Sequence, residues 1–203
     1  MNDVFKNQNL DIVFVIDRSG SMHGSELDTI GGFNSFIEKE RKKGFLTNVT
    51  TILFDDKYEM LYKRKDINEV EELTSEVYYV RGMTALLDAI GKSIVILDKE
   101  IDNKVLFVIM TDGYENASVE FSKSQIKNMI ESHNWEFIFM GADIDSYGEA
   151  ASIGIRKSHV ANYEKSKAGF NDAFVSMERV VEFSRADIAL DCEDWKENLR
   201  KYD

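Results

Sequence analysis

Two short apolar runs, residues 12–16 (IVFVI) and 105–110 (VLFVIM), each stop at a polar loop built around an aspartate, DRSGS and TDG. Runs of this length, rich in Val, Ile and Phe and without polar alternation, read as strands covered on both faces. A third run, residues 135–142 (WEFIFMGA), leads into Asp143 and Asp145. Between them the apolar period changes. Leu27, Ile30, Phe33, Phe36 and Ile37 recur at helical spacing up to Gly44, with Asp28 and Glu38 on other faces, and Leu86, Ile90, Ile94 and Leu97 repeat the pattern after Thr84.

The remaining segments continue this alternation. Residues 49–56 and 58–64 form a hairpin about a tight acidic turn at Asp55, and residues 67–80 have room for one short helix. Residues 122–132 read as a helix capped by Ser122, residues 147–152 as a short helix, residues 159–161 as a brief strand and residues 168–184 as a long helix. Alternating strands and helices with crossovers of this length predict a three-layer, doubly wound α/β fold, with a mostly parallel sheet of about six strands and one antiparallel edge strand at residues 58–64.

The chain has 203 residues, no proline and no Gly/Ser-rich linker, so a single domain over residues 1–203 is expected, with its core at about 10–184 and a C-terminal extension at 185–203. Apolar residues make up 43% and charged residues 31%, ordinary for a globular chain. Neither apolar run approaches the roughly 20 residues of a membrane span. The polar, acidic start MNDVFKNQNLD does not read as a secretory signal, and Cys192 stands alone as a half-buried apolar residue, so a cytoplasmic location is expected. The net charge of −12 disfavours a nucleic-acid partner and lowers the cost of drawing in a divalent cation.

The chemistry sits where the strands end. Asp17, Ser19 and Ser21 place one carboxylate and two neutral oxygens at alternate positions, and a turn leaving a strand brings every second side chain inward past Gly20, which has no side chain to obstruct it. Thr84 and Asp112 add a third hydroxyl and a second carboxylate. Five oxygen donors with two charges suit Mg2+, with Mn2+ or Ca2+ able to replace it, and mostly neutral direct ligands leave such a cation electrophilic. Read singly, Asp17 with its serines is a helix N-cap, Thr84 is another, and Asp112 is a turn residue. Read in order, at loops on one edge of a parallel sheet, they are a divalent-metal site. His133 and His159 have no Cys or His neighbours at zinc spacing.

With Asp-x-Ser-x-Ser, a later Thr and a later Asp in order, the chain resembles the von Willebrand factor A domain family and its metal-ion-dependent adhesion site over about residues 10–184. The resemblance implies a non-enzymatic binding module whose metal takes an Asp or Glu of a protein partner into its open coordination position, and a protein that works beside an ATPase or within a multi-component cassette. Two other functions compete with that one. A Mg2+-dependent hydrolase or phosphotransferase would need a second acid or base near Asp17, where the second following residue is Ser19. A structural or regulatory subunit would use metal for stability alone.

Around the ligand set, Arg18 and Met22 are expected to point away or frame the rim, Met83 and Tyr114 to form an apolar rim, and Tyr78 and Tyr79 either to join that rim or to pack in the core or loops, with Arg81 in a surface ion pair and Asn116 bracing the TDG loop. Lys57, Lys63, Arg64 and Lys65 guard the edge strand, so a monomer is expected.

Overall fold

The computed structural model describes residues 9–203; the expectation for the N-terminal segment falls largely on residues 1–8, outside the described residues. The elements are β1 (Leu10–Asp17), α1 (Glu26–Lys43), β2 (Thr47–Phe54), β3 (Tyr58–Asp66), α2 (Leu86–Leu97), β4 (Lys104–Thr111), α3 (Lys123–Ser132), β5 (Glu136–Ala142), α4 (Ser146–Ser152), β6 (Val160–Tyr163) and α5 (Lys167–Arg185). The strands form one sheet in the order β3-β2-β1-β4-β5-β6. β1 pairs in parallel with β2 and β4, the parallel pairing continues through β5 to β6, and β3 closes one edge antiparallel to β2. The strand order reverses between β1 and β4, and in an open α/β sheet the crevice outside the carboxyl ends of such a pair is where ligands sit.

The pleat explains why the apolar runs show no polar alternation. Ile12, Phe14 and Ile16 pack beneath α1 and α5, whereas Val13 and Val15 pack beneath α2 on the other face. Phe14 meets Phe33 and Phe36 edge to face, with ring centroids 5.4 and 5.3 Å apart. Helix α1 stops where Gly44 takes a left-handed φ of 73°, after Arg41, Lys42 and Lys43 have placed positive charge on its carbonyl end. Leu27, at the N-terminal end of the helical period, is 76% exposed. At 100° per residue it lies about 120° around the helix from Phe33 and misses the sheet. Helix α3 begins with a capping box between Ser122 and Gln125. Ser122→Ala is expected to lower stability by about 1 kcal/mol, read as a shifted urea midpoint with an unchanged slope.

Some segments differ from expectation. Residues 67–80 contain a single 3-10 turn, Ile67–Glu69, and no α-helix, because α1 satisfies their backbone instead. Asn34 bonds both the N–H and the carbonyl of Leu73, and Arg41 donates to the carbonyls of Ile67 and Val70. His159 lies in a 3-10 turn ahead of β6, its ring 2.8 Å from Glu136. Residues 190–202 coil into 3-10 turns that seat Trp195 and Leu199 in the core beside α5, with the Trp195 indole N–H donating to the carbonyl of Ser158. Cys192 is exposed, its thiol turned to the carbonyl of Ala189. Among the described residues no helix is long and apolar enough to cross a membrane.

Candidate metal site

Asp17 is the last residue of β1, and its carboxylate is fully buried. The Ser19 amide donates to Oδ1 at 2.6 Å and the Thr111 hydroxyl to Oδ2 at 2.5 Å, so the ends of β1 and β4 are stitched together through this one side chain. Below it, the buried Tyr78 hydroxyl donates to the Asp17 carbonyl at 2.6 Å. Burial pushes the Asp17 carboxyl up to about 6, against the hydrogen bonds from Thr111 and Ser19, and the nearby Asp112 charge adds to the rise. Removal of that proton is favoured by a cation.

The three hydroxyls converge. Ser19 Oγ lies 3.0 Å from Ser21 Oγ, and Thr84 Oγ1 donates to Ser19 Oγ at 3.0 Å. Gly113 closes the cluster from the β4 side: a Cβ there would come within 2.6 Å of Thr84 Oγ1 and 3.1 Å of Ser21 Oγ, so only glycine lets the loop after Asp112 approach so closely. The Asp112 side chain is buried, yet neither of its oxygens accepts a hydrogen bond. The Lys165 ammonium stands 2.8 Å from Oδ2, at ion-pair distance but without hydrogen-bond geometry. A buried carboxylate that accepts no hydrogen bond and has one lysine at ion-pair distance, beside three clustered hydroxyls, is an all-oxygen donor set that fits a hard divalent cation. Asp17, Ser19, Ser21, Thr84 and Asp112 are the residues that would hold it. Among the described residues no group of three or more His, Cys, Asp and Glu side chains is placed to bind a metal.

The loops that carry these groups are wired to each other. Arg81 and Gly20 donate backbone N–H bonds to the carbonyls of Arg18 and Gly82, and Ala85 donates to Asp55. Asn116 grips Thr84 twice, accepting its N–H on Oδ1 at 2.9 Å and donating its own N–H to the Thr84 carbonyl at 3.0 Å. Of its two expected places Arg18 takes the one away from the rim: it is fully buried and binds Asp55 at 2.9 Å and Glu59 at 2.7 Å. Arg81 reaches the same Asp55 oxygen at 2.7 Å. Burial alone would raise the Asp55 carboxyl, but hydrogen bonds from Arg81, the Lys57 amide and Arg18 hold it below its ordinary value. Met22 is buried as well, packed into the core, and His23 is solvated.

Above the hydroxyls lies an open cleft of about 350 Å³ whose rim includes Met83, Tyr114, Asp143 and Ile144. Met83 and Tyr114 are more than half exposed, and the Tyr114 hydroxyl accepts the Asp145 N–H at 3.0 Å, so Asp145, which also caps α4, serves the loop and not the cation. A larger cleft of about 870 Å³, lined by residues such as Asp98, His133 and Trp135, opens at the amino ends of β4 and β5 and holds none of the five residues.

An open, mostly parallel sheet with an aspartate, clustered hydroxyls and a second aspartate at its switch point is a doubly wound α/β arrangement. The von Willebrand factor type A domain profile matches residues 11–174, and the chain belongs to that family. Solved structures share the fold at low identity. Proximal thread matrix protein 1 from the mussel byssus superposes with a TM-score of 0.65 at 17% identity, covering 87% of this chain and 46% of that one. A second structure of that protein, with a TM-score of 0.64, 18% identity and coverage of 87% and 46%, is described as having a zinc-occupied MIDAS motif. The manganese-loaded TRAP protein of Plasmodium vivax gives 0.60 at 18% identity, covering 83% of this chain and 72% of that one. The chain thus spans about half the length of the byssus protein. No curated protein sequence matches it.

Proposed function

We propose that this domain is a metal-dependent protein-binding module, in which Mg2+ held by Asp17, Ser19, Ser21, Thr84 and Asp112 accepts an Asp or Glu side chain of a protein partner. The observation that carries this reading is the buried Asp112 carboxylate, free of hydrogen bonds and set against the three hydroxyls. The cation supplies a Lewis-acidic position open to the cleft. The chain's own residues supply the rest: two carboxylates give most of the charge balance, the hydroxyls leave the coordination weakly donating, and Met83 and Tyr114 offer apolar shoulders that shield an incoming carboxylate from water. Mn2+ or Ca2+ is expected to substitute, as an all-oxygen set allows. The zinc and manganese sites described for the two structural neighbours are consistent with a divalent ion here.

The lining of the cleft favours binding over catalysis. Among its described residues there is no His, Cys or Glu, and Asp143 is the one carboxylate there besides Asp112, which this reading gives to the cation. Selection of peptides from a displayed random library on the Mg2+-loaded domain tests the proposal. Selected peptides are expected to carry Asp or Glu, and their affinity should fall about a hundredfold or more with EDTA or on replacing that acid by its amide. Affinity that is indifferent to chelation would refute the mechanism.

A further inference from the structure

We propose that Lys165 is the chain's own counter-ion for the metal site, a tethered ammonium that occupies Asp112 in the metal-free protein and has to swing away before a divalent cation binds. The inference rests on the five-residue site described above. Lys165 lies in the link between β6 and α5, one residue before Ser166, which caps α5. Its Nζ stands 2.8 Å from Asp112 Oδ2 and donates to the Ser21 carbonyl at 2.5 Å, bridging the loops after β4 and β1. The Lys165 side chain is 25% exposed, whereas the Asp112 carboxylate is fully buried.

A buried carboxylate without a donor is costly, and an ammonium at ion-pair distance offsets that cost with a single positive charge. A divalent cation would bring twice that charge to the same carboxylate and would also take the hydroxyls of Ser19, Ser21 and Thr84, none of which Lys165 touches among the hydrogen bonds of the cluster. The two cations compete because like charges sharing one carboxylate repel. Lys165 can yield: its stem is partly in solvent, and its second contact is a single carbonyl on an exposed residue. The apparent metal affinity is then lowered in proportion to the fraction of molecules in which the lysine has left the site. The consequence is a threshold, since the site is silent until the divalent ion is abundant enough to displace the chain's own charge.

Calorimetric titration of Mn2+ into the wild type, Lys165→Gln and Lys165→Arg tests this, with free Mn2+ followed in parallel by its paramagnetic resonance signal. Lys165→Gln is expected to bind Mn2+ about tenfold more tightly than the wild type, the scale of one modest ion pair. Lys165→Arg, which keeps the charge, should bind no more tightly than the wild type. Melting curves in EDTA establish that each variant is folded, and Lys165→Gln should melt no higher than the wild type there. Binding by Lys165→Gln where the wild type binds none would support the proposal in its strongest form. Equal or weaker affinity in Lys165→Gln, with the wild type binding Mn2+, would overturn the lysine's role and leave the five-residue site standing. No Mn2+ binding by any of the three proteins would overturn both.

Discussion

Asp112→Ala is expected to reduce Mg2+ affinity by about a hundredfold or more while leaving the domain folded. The side chain provides one of two carboxylate charges at the hydroxyl cluster, and it is the one whose oxygens accept no hydrogen bond from the protein. Its removal takes no backbone contact with it, because β4 is held by its parallel pairing to β1 and β5. In EDTA the change in stability should be small, within about 1 kcal/mol, since relief of repulsion with Asp17 is opposed by loss of the partly exposed pair with Lys165. The Mg2+-induced rise in Tm should vanish with the mutation. An equal rise in both proteins would make Asp112 a turn residue.

The second large effect is a dependence on pH that reverses when metal is added. Burial raises the folded-state value of Asp17 from 3.8 to about 6, so between these limits the folded protein holds a proton that the unfolded chain has already released. Stability from this group is complete below about pH 4 and is lost as pH rises through about 6. The loss is roughly 3 kcal/mol, because each pH step of one between those limits removes about 1.4 kcal/mol. Other carboxylates act in the opposite sense: Asp55 and Glu136 are held below their ordinary values, and their contributions are lost as pH falls. Comparison with Asp17→Asn in EDTA isolates this contribution, because the amide cannot titrate. The wild type should lose more stability than the variant between pH 4 and pH 7. For metal the same proton is a competitor, so Mg2+ affinity should climb steeply up to about pH 6 and level off above it, with proton release measurable in buffers of different ionisation heat. A metal affinity flat from pH 5 to pH 7 would mean that Asp17 carries no such proton.

Much of this architecture was legible in the chain because the signals were local. A buried parallel strand needs an unbroken run of β-branched and aromatic residues, and residues 12–16 and 105–110 have one; the edge strand announced itself by its tight turn and its lysines. The convergence of the five residues was legible for a related reason: Asp17, Ser19, Ser21 and Asp112 lie at or just past the ends of β1 and β4, which the switch point brings together, and Thr84 comes from the loop before α2. What escaped was non-local. Residues 67–80 have room for a short helix, but Asn34 and Arg41 of α1 take up their backbone groups. Whether Arg18 points away or frames the rim is decided by Asp55 and Glu59, some forty residues later, which draw it inward. Lys165 carried no signal at all, since its contact with Asp112 depends on where the link from β6 to α5 passes over the sheet edge. Thr111 could have been found, as a hydroxyl directly ahead of Asp112 at the end of a buried strand, where the β1–β4 register sets it beside Asp17.

The central claim, that these five residues hold a divalent cation, is tested most directly by anomalous diffraction from crystals saturated with Mn2+. The account predicts one strong peak at about 2.1 Å from the hydroxyls of Ser19, Ser21 and Thr84, with the carboxylates of Asp17 and Asp112 beside it. A cluster without a peak, or a peak elsewhere such as beside Asp98 and His133 in the opposite cleft, would contradict it.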